Sequence, residues 1–117
     1  MKLNHLNLTV PNVQETSQFL AKYFGLRPGG GNHIIAFLSD DDGMALTLTS
    51  TAPGDERAVH YPTNFHIGFA QSGADAVNAL HQRLKADGYN VPEPSRQHGS
   101  WTFYFEAPGG FTIEVLS

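Results

Sequence analysis

Two histidines and one glutamate of this 117-residue sequence lie at matching places on predicted strands and could together bind a metal ion. His5 lies in "NHLNLTV", His66 in "NFHIGFA" and Glu114 in "GFTIEVLS". Two imidazoles and one carboxylate that leave coordination positions open form the ligand set of non-haem Fe(II) sites, and they also suit Mn(II) or Zn(II). A single strand histidine is more often a surface or hydrogen-bonded residue. The chemistry therefore depends on elements that bring the three side chains together.

Each of these residues lies on a predicted strand, on the face opposite the apolar side chains. The segment "NHLNLTV" alternates in this way, with Leu6, Leu8 and Val10 on one face and His5, Asn7 and Thr9 on the other. Glu114 stands between two β-branched apolar residues, and a carboxylate on a buried face needs a partner, which a metal ion would provide. We expect His5 to line a cavity, with Asn7 and Thr9 as candidate substrate contacts.

The chain is predicted to consist of two copies of one strand–helix–three-strand module. The first covers about residues 1–50, a linker about 51–63, and the second about 64–117. In each module a capping box is predicted to begin the helix and a glycine to end it, namely Asn12 with Glu15 before Gly25, and Ser72 with Asp75 before Gly88. Further strands are predicted at 34–38 and 44–49, and at 100–106 and 111–116.

The repeat shows which positions are equivalent. His66 matches His5 at the start of the first strand of each module, and the closing strands "GMALTLTS" and "GFTIEVLS" match Thr47 with Glu114. A module of about 55 residues is only marginally stable alone, so each must pack against the other or against a partner chain.

Composition excludes several other classes of protein. The formal net charge is −4 and the seven lysines and arginines are scattered, which is unlike a nucleic-acid-binding surface. Without cysteine the chain can form no disulfide, thiolate nucleophile or Cys-ligated metal site. We see no secretory signal and no apolar run long enough to span a membrane, so we expect a cytoplasmic protein.

The order "NHLNLTV…FHIGFA…FYFEAPGGFTIEV" resembles the vicinal-oxygen-chelate superfamily, which includes glyoxalase I, bleomycin-resistance proteins, fosfomycin-resistance thiol transferases and extradiol dioxygenases. The resemblance covers essentially the whole chain. It implies an α+β fold of two tandem βαβββ modules that form a U-shaped or barrel-like mixed sheet with helices on the outer face. It also implies that His5, His66 and Glu114 bind one divalent ion, Fe(II) or Mn(II) in the first place and Zn(II) or Ni(II) as alternatives.

The resemblance implies ring-cleaving dioxygenase-like chemistry first. Dioxygenases of this kind have a tyrosine ten residues before the ligand glutamate, as Tyr104 is here, and a histidine before the tyrosine strand, a role that His98 could take. Glyoxalase I-like members have a fourth ligand, usually Glu, where this chain has Thr47. Lyase or thiol-transferase chemistry is the alternative, with Arg96 as the candidate for holding an anionic group.

A third class sequesters a planar ligand without chemistry, as bleomycin-resistance-like members do. Phe37 and Trp101, with Phe103 and Phe105, could line the necessary groove, although aromatic residues at strand spacing more often belong to a core. Together with Asn7, Thr9 and Thr47, Phe37 and Trp101 complete the candidate substrate contacts. Small members usually form homodimers, in many of which one site draws on both chains, so we expect a small-molecule substrate and a second copy as partners.

Three other features are predicted to be structural. The glycine-rich "PGGG" at 28–31 is expected to be a flexible turn and "DDDG" at 40–43 a solvated hairpin turn. Surface positions are expected for His33, His60 and His81.

Overall fold

The computed structural model describes residues 1–51 and 59–117, and the predicted linker at about 51–63 falls largely on residues outside this description. The described residues form eight strands and two helices in the order β1 (His5–Val10), α1 (Val13–Phe24), β2 (Arg27–Gly31), β3 (Ile35–Ser39), β4 (Ala45–Ser50), β5 (His66–Ala70), α2 (Ala74–Ala86), β6 (Ser95–Gln97), β7 (Ser100–Glu106) and β8 (Thr112–Leu116). Neither helix is long and apolar enough to cross a membrane, as judged on the described residues.

The described chain divides into two compact units, one of Met1–Tyr61 with Pro108–Gly110 and one of Pro62–Ala107 with Phe111–Ser117. The first unit holds a four-stranded mixed sheet in the order β1-β4-β3-β2, and the second holds one in the order β5-β8-β7-β6. In each sheet the first strand of the unit is parallel to the last, and the remaining pairs are antiparallel. The predicted α+β fold of two tandem βαβββ modules is confirmed.

The two sheets also share their register. Asn7 and Phe37 flank Thr47 on the neighbouring strands of the first sheet, and Gly68 and Tyr104 flank Glu114 in the second. The equivalence of Thr47 and Glu114, which the sequence repeat predicted, is therefore present in the hydrogen-bonded ladders.

The two helices begin in different ways. In α1 the predicted cap is confirmed, because the Asn12 side chain accepts a hydrogen bond of 2.9 Å from the backbone N–H of Glu15, and Gly25 ends the helix with φ 67°. The second capping box was wrong. Helix α2 begins after Gly73, whose backbone is extended, and within the described residues no side chain caps it.

One face of each sheet packs on its helix. Ile113 and Val115 of β8 are fully buried there, as are Leu8 and Val10 of β1, which confirms the alternation predicted from the sequence. The other faces carry His5, Asn7 and Thr9 in the first unit, and His66, Gly68 and Glu114 in the second.

Two predictions about single features were wrong. The "PGGG" segment lies in strand β2 and pairs with β3 instead of forming a flexible turn, and a Cβ on Gly31 would clash with the Ile35 carbonyl oxygen. His81 is 1% exposed, because it lies on the face of α2 that packs on the sheet, where its ring meets Phe103 edge-on at 5.3 Å.

Candidate metal centre

The parallel pairing of β5 with β8 places His66 and Glu114 on the same face of the second sheet. His66 pairs with Thr112 and Gly68 pairs with Glu114. His66 and Glu114 therefore lie on neighbouring strands, two residue positions apart along the strand direction. Because residues of period two share a face, both side chains project away from the helix. The imidazole is 41% exposed and the carboxylate 14% exposed.

The His66 imidazole is oriented for coordination through its outer nitrogen. Its Nδ1 lies 3.0 Å from the backbone carbonyl oxygen of Asn64. Because a carbonyl only accepts, Nδ1 carries the ring proton and donates it, which in the neutral ring leaves a lone pair on Nε2. Metal-binding histidines are held in this way by a hydrogen bond from the nitrogen that does not bind the ion.

The free nitrogen faces the carboxylate of Glu114. Nε2 lies 3.4 Å from Glu114 Oε2. Two electron-rich atoms at this distance attract each other only through a cation between them, either a proton on Nε2 or a metal ion. Two ligands with bonds of about 2.1 Å to one divalent ion stand roughly 3.0 to 3.4 Å apart. The pair therefore fits two neighbouring positions in the coordination sphere of one ion.

Two hydroxyl groups hold the same carboxylate. The Thr102 hydroxyl lies 3.0 Å from Glu114 Oε1, and the Tyr104 hydroxyl donates to the Glu114 side chain. Tyr104 also meets the His66 ring edge-on, with centroids 5.4 Å apart. The hydrogen bond to Glu114 raises the pKa of Tyr104 above 10, and partial burial and the negative charge of Glu114 raise it further. The phenol is thus a neutral donor at physiological pH.

In the first unit, His5 has the same arrangement at its Nδ1. This atom lies 2.7 Å from the side-chain oxygen Oδ1 of Asn4, so the ring donates there and keeps Nε2 free. Asn7 follows on the same face, and its Oδ1 accepts a 3.0 Å hydrogen bond from the Thr49 hydroxyl. The backbone carbonyl of Thr9 accepts a 2.7 Å bond from the Tyr61 hydroxyl.

Thr47 and Phe37 lie opposite each other in the first sheet. They pair across β3 and β4, on the face that carries His5 and Asn7. Phe37 is 46% exposed, which is unusual for a large apolar side chain in the middle of a strand.

Trp101 and His98 are not brought to Glu114. Trp101 lies on the helix side of β7, where its indole N–H donates to Asn78 of α2 at 2.8 Å. His98, with φ 50°, and Gly99 form the two-residue turn between β6 and β7 and are exposed. Ser100, where β7 begins, is already about 13 Å along the strand from Tyr104 at about 3.3 Å per residue. The substrate role of Trp101 and the proton-transfer role of His98 stay predictions.

Thr102 was missed by the sequence reasoning. Its position two residues before Tyr104 puts it on the same face of β7, and this period-two spacing could have found it. Across residues 1–51 and 59–117, no group of three or more histidine, aspartate or glutamate side chains is gathered that could hold an ion. Within these ranges, His66 and Glu114 are brought together as a pair.

Comparison with known proteins agrees with this fold. The Glyoxalase/Bleomycin resistance protein/Dioxygenase superfamily matches residues 2–115, and the chain belongs to this superfamily. A solved structure of a possible glyoxalase from Bacillus cereus is 47% identical, with a TM-score of 0.89, and the match covers 100% of this chain and 99% of that one. The superfamily commonly uses a divalent metal, binds small-molecule substrates and often forms dimers.

More distant structures share the fold. A lactoylglutathione lyase from Agrobacterium tumefaciens is 18% identical with a TM-score of 0.77, over 98% of this chain and 92% of that one. The oxidase ChaP-H2 is 21% identical with a TM-score of 0.76, over 100% of this chain and 93% of that one. No curated protein matches the sequence.

Proposed function

We propose that this protein is a divalent-metal enzyme in which His66 and Glu114 bind one ion. The observation that carries the proposal is the 3.4 Å approach of His66 Nε2 to Glu114 Oε2, with Nδ1 of the same ring already bonded to a carbonyl. The Nδ1 hydrogen bond holds the ring so that Nε2 faces the carboxylate, as such bonds do for metal-binding histidines, and in the neutral ring it leaves the Nε2 lone pair for an ion.

His5 is the proposed third donor. It opens the first strand of its unit as His66 opens that of the second, and its Nδ1 bond to Asn4 likewise leaves Nε2 free. The His5 that completes a set comes from the same chain or from a second copy.

A set of two imidazoles and one carboxylate suits Fe(II) or Mn(II), with Zn(II) or Ni(II) as alternatives. When bound, such an ion polarises the oxygens of a chelating substrate and offers open coordination positions. His5, His66 and Glu114 would hold it, and their single negative charge leaves the centre with a net positive charge that favours an anionic substrate oxygen.

Tyr104 is the proposed hydrogen-bond donor to the substrate at the site. Its hydroxyl lies beside the carboxylate and its ring beside His66. Because the pKa of Tyr104 is raised, the phenol stays protonated at neutral pH and can donate a hydrogen bond to a substrate oxygen next to the ion.

The proposed reaction is extradiol-type cleavage of an aromatic ring that bears two neighbouring hydroxyl groups, with consumption of one dioxygen per ring. Tyr104 lies ten residues before Glu114, as in the dioxygenases that the sequence resembles. Phe37 offers an exposed ring and Asn7, Thr9 and Thr47 offer neutral hydrogen-bonding groups, which suit an aromatic diol. Thr47 is not a carboxylate, which argues against the four-ligand glyoxalase I arrangement.

Metal content tests the site. Protein purified without chelator is expected to carry about one ion per chain, and the double variant His66→Ala/Glu114→Ala is expected to lose it. Elemental analysis of both proteins decides the question, and equal metal content in the two would refute the site.

Activity tests the reaction class. We expect a catechol to be turned over with dioxygen uptake in an oxygen electrode, and neither to occur in the double variant. Formation of lactoylglutathione without oxygen uptake would instead support lyase chemistry, in line with the structural neighbour of that name. Tight binding of an aromatic ligand with no turnover under any of the four metals would support sequestration.

A further inference from the structure

Thr102 is a fully buried polar residue beside the candidate metal centre. Its side chain is 0% exposed, and its hydroxyl lies 3.0 Å from Glu114 Oε1 and 2.9 Å from the backbone carbonyl of Val115. A hydroxyl has one proton for these two acceptors. Since an ionised carboxylate is a stronger acceptor than a neutral carbonyl, the bond to Glu114 takes the larger share when the carboxylate is charged.

This contact distinguishes the two oxygens of Glu114. Oε1 is engaged by Thr102 on the buried side, whereas Oε2 lies 3.4 Å from His66 Nε2. Turning the carboxylate would give up the charge-assisted bond to Thr102 and leave the hydroxyl with the weaker acceptor, the Val115 carbonyl. The threonine therefore favours the carboxylate orientation in which one oxygen is held on the buried side and the other faces the histidine.

The first unit provides an internal control for this assignment. Strands β3 and β7 have the same register against β4 and β8, so Ile35 occupies the position of Thr102 and Phe37 that of Tyr104. The unit that has Thr47 in place of the carboxylate thus also lacks both hydroxyl donors, whereas the unit with Glu114 has both. The hydroxyl at position 102 therefore occurs in the unit that has the carboxylate, and the same sheet position in the other unit is filled without a hydroxyl.

From these observations we propose that Thr102 is a positioning residue that holds Glu114 Oε1, so that Glu114 binds the metal ion through Oε2 alone. The inference rests on the proposed function, in which His66 and Glu114 bind a divalent ion. Thr102 itself has no contact with the ion in this proposal.

The test compares metal affinity among four variants and the wild type, as full-length protein stripped with chelator and titrated with Mn(II). Binding is followed by loss of the electron paramagnetic resonance signal of the free ion. Thr102→Val removes the hydroxyl, Thr102→Ser restores it, and Glu114→Gln defines the background. Thr16→Val is the matched control, because Thr16 is 1% exposed and its hydroxyl donates to the Pro108 carbonyl, at 3.3 Å.

We expect Thr102→Val to bind Mn(II) about 10- to 100-fold more weakly than the wild type, the range typical of residues that orient a metal ligand. Thr102→Ser and Thr16→Val are expected within about threefold of the wild type. With Co(II), the visible absorption bands of Thr102→Val should differ from those of the wild type, because a released carboxylate can bind through both oxygens. If Thr102→Val does not fold, Thr102→Ala takes its place.

The outcomes separate this inference from the proposed function. Wild-type binding with an equal affinity in Thr102→Val, or an equal loss in Thr102→Ser, would overturn the role of Thr102 and leave the metal site intact. Wild-type binding no stronger than that of Glu114→Gln would overturn the proposed function, and the role of Thr102 with it.

Discussion

The two units have the same strand order and the same register, yet only the second has an acidic group at the position where the sheet could hold a metal. Thr47 in the first and Glu114 in the second are each flanked by the same two strand positions. The neighbours are Asn7 and Phe37 in one unit, and Gly68 and Tyr104 in the other. The backbone therefore provides two equivalent positions, and the side chains make one of them acidic and give it a hydroxyl neighbour in Tyr104.

The cores of the units differ in the same manner. In the first, helix α1 contributes aromatic rings, Phe19 and Tyr23, and the strand position that faces them holds Ala36. In the second, the buried apolar residues of α2 are aliphatic, and the equivalent strand position holds Phe103. The same layer is thus filled by a large side chain from the helix in one unit and from the strand in the other, which is how cores keep volume while sequence changes.

The largest expected effect tests this difference in packing. Phe103 is 1% exposed, so Phe103→Ala should lower the free energy of unfolding by about 3 to 5 kcal/mol through the cavity it leaves. Phe37→Ala, on the exposed face of the first unit, should cost less than about 1 kcal/mol. Urea unfolding measures both. Similar losses of unfolding free energy in the two variants would contradict the different burial of Phe103 and Phe37 in the structure.

The next effect concerns the metal. Glu114→Gln is expected to weaken Mn(II) binding at least about 100-fold, or roughly 2.7 kcal/mol, because it removes the only anionic donor of the proposed set. Thr47→Val at the equivalent position should leave the metal affinity within about threefold. Isothermal titration calorimetry compares the two, and a larger loss at position 47 would contradict the assignment of ligands.

A smaller effect concerns the starts of the helices. Asn12→Ala removes the side chain that caps α1 and should lower the free energy of unfolding by about 1 kcal/mol. Ser72→Ala should change it by less than about 0.3 kcal/mol, since α2 starts without a side-chain cap in the described part of the chain. Chemical denaturation measures both changes, provided that the dependence of the free energy of unfolding on denaturant concentration is unchanged. An equal loss of stability in the two variants would show that Ser72 caps α2 in solution.

The smallest effect separates two tyrosines, one in each unit. Burial is the main cause that raises the pKa of Tyr61, whereas the hydrogen bond to Glu114 is the main cause that raises the pKa of Tyr104. In metal-free protein, Glu114→Gln should lower the pKa of Tyr104 towards 10 and leave that of Tyr61 unchanged. Ultraviolet titration of phenolate, with Tyr104→Phe to identify the signal, measures this change.

The sign for stability follows from the same shifts. Both phenols hold their protons more tightly in the folded chain than in the unfolded one, where the pKa is about 10. Their contribution to stability is therefore complete below pH 10 and is lost as the pH rises through the folded pKa values. Above pH 10 the wild type should lose more stability than Tyr61→Phe or Tyr104→Phe, and an equal loss in all three proteins would contradict both shifts.

Much of the fold could be predicted because patterns among residues close in sequence indicate its strands and helices. Alternation identified β1 and β8, and the Asn12 cap with Gly25 identified the bounds of α1. Features that depend on partners far along the chain could not be found in this way. Strand β2 has glycines that indicate a turn, and only its hydrogen bonds to β3 make it a strand.

Prediction of the candidate site was limited for a related reason. Period-two alternation placed Glu114 on the open face, but the bonds from Thr102 and Tyr104 to its carboxylate depend on the pairing of β7 with β8. The burial of His81 could have been predicted. It follows Val77 by four residues and precedes Leu84 by three, which is the spacing of the buried face of a helix.

The two histidine rings are anchored by atoms of different origin, and this affects how the protein can change by mutation. His5 is held by the side chain of Asn4, so one substitution there would release the ring. His66 is held by the main-chain oxygen of Asn64, an atom that every amino acid supplies at that position. Single substitutions can therefore adjust the orientation of the first histidine directly, whereas that of the second changes only if the path of the backbone changes. A single substitution at position 4 can therefore release the His5 ring, whereas a single substitution at position 64 leaves the acceptor of the His66 ring in place.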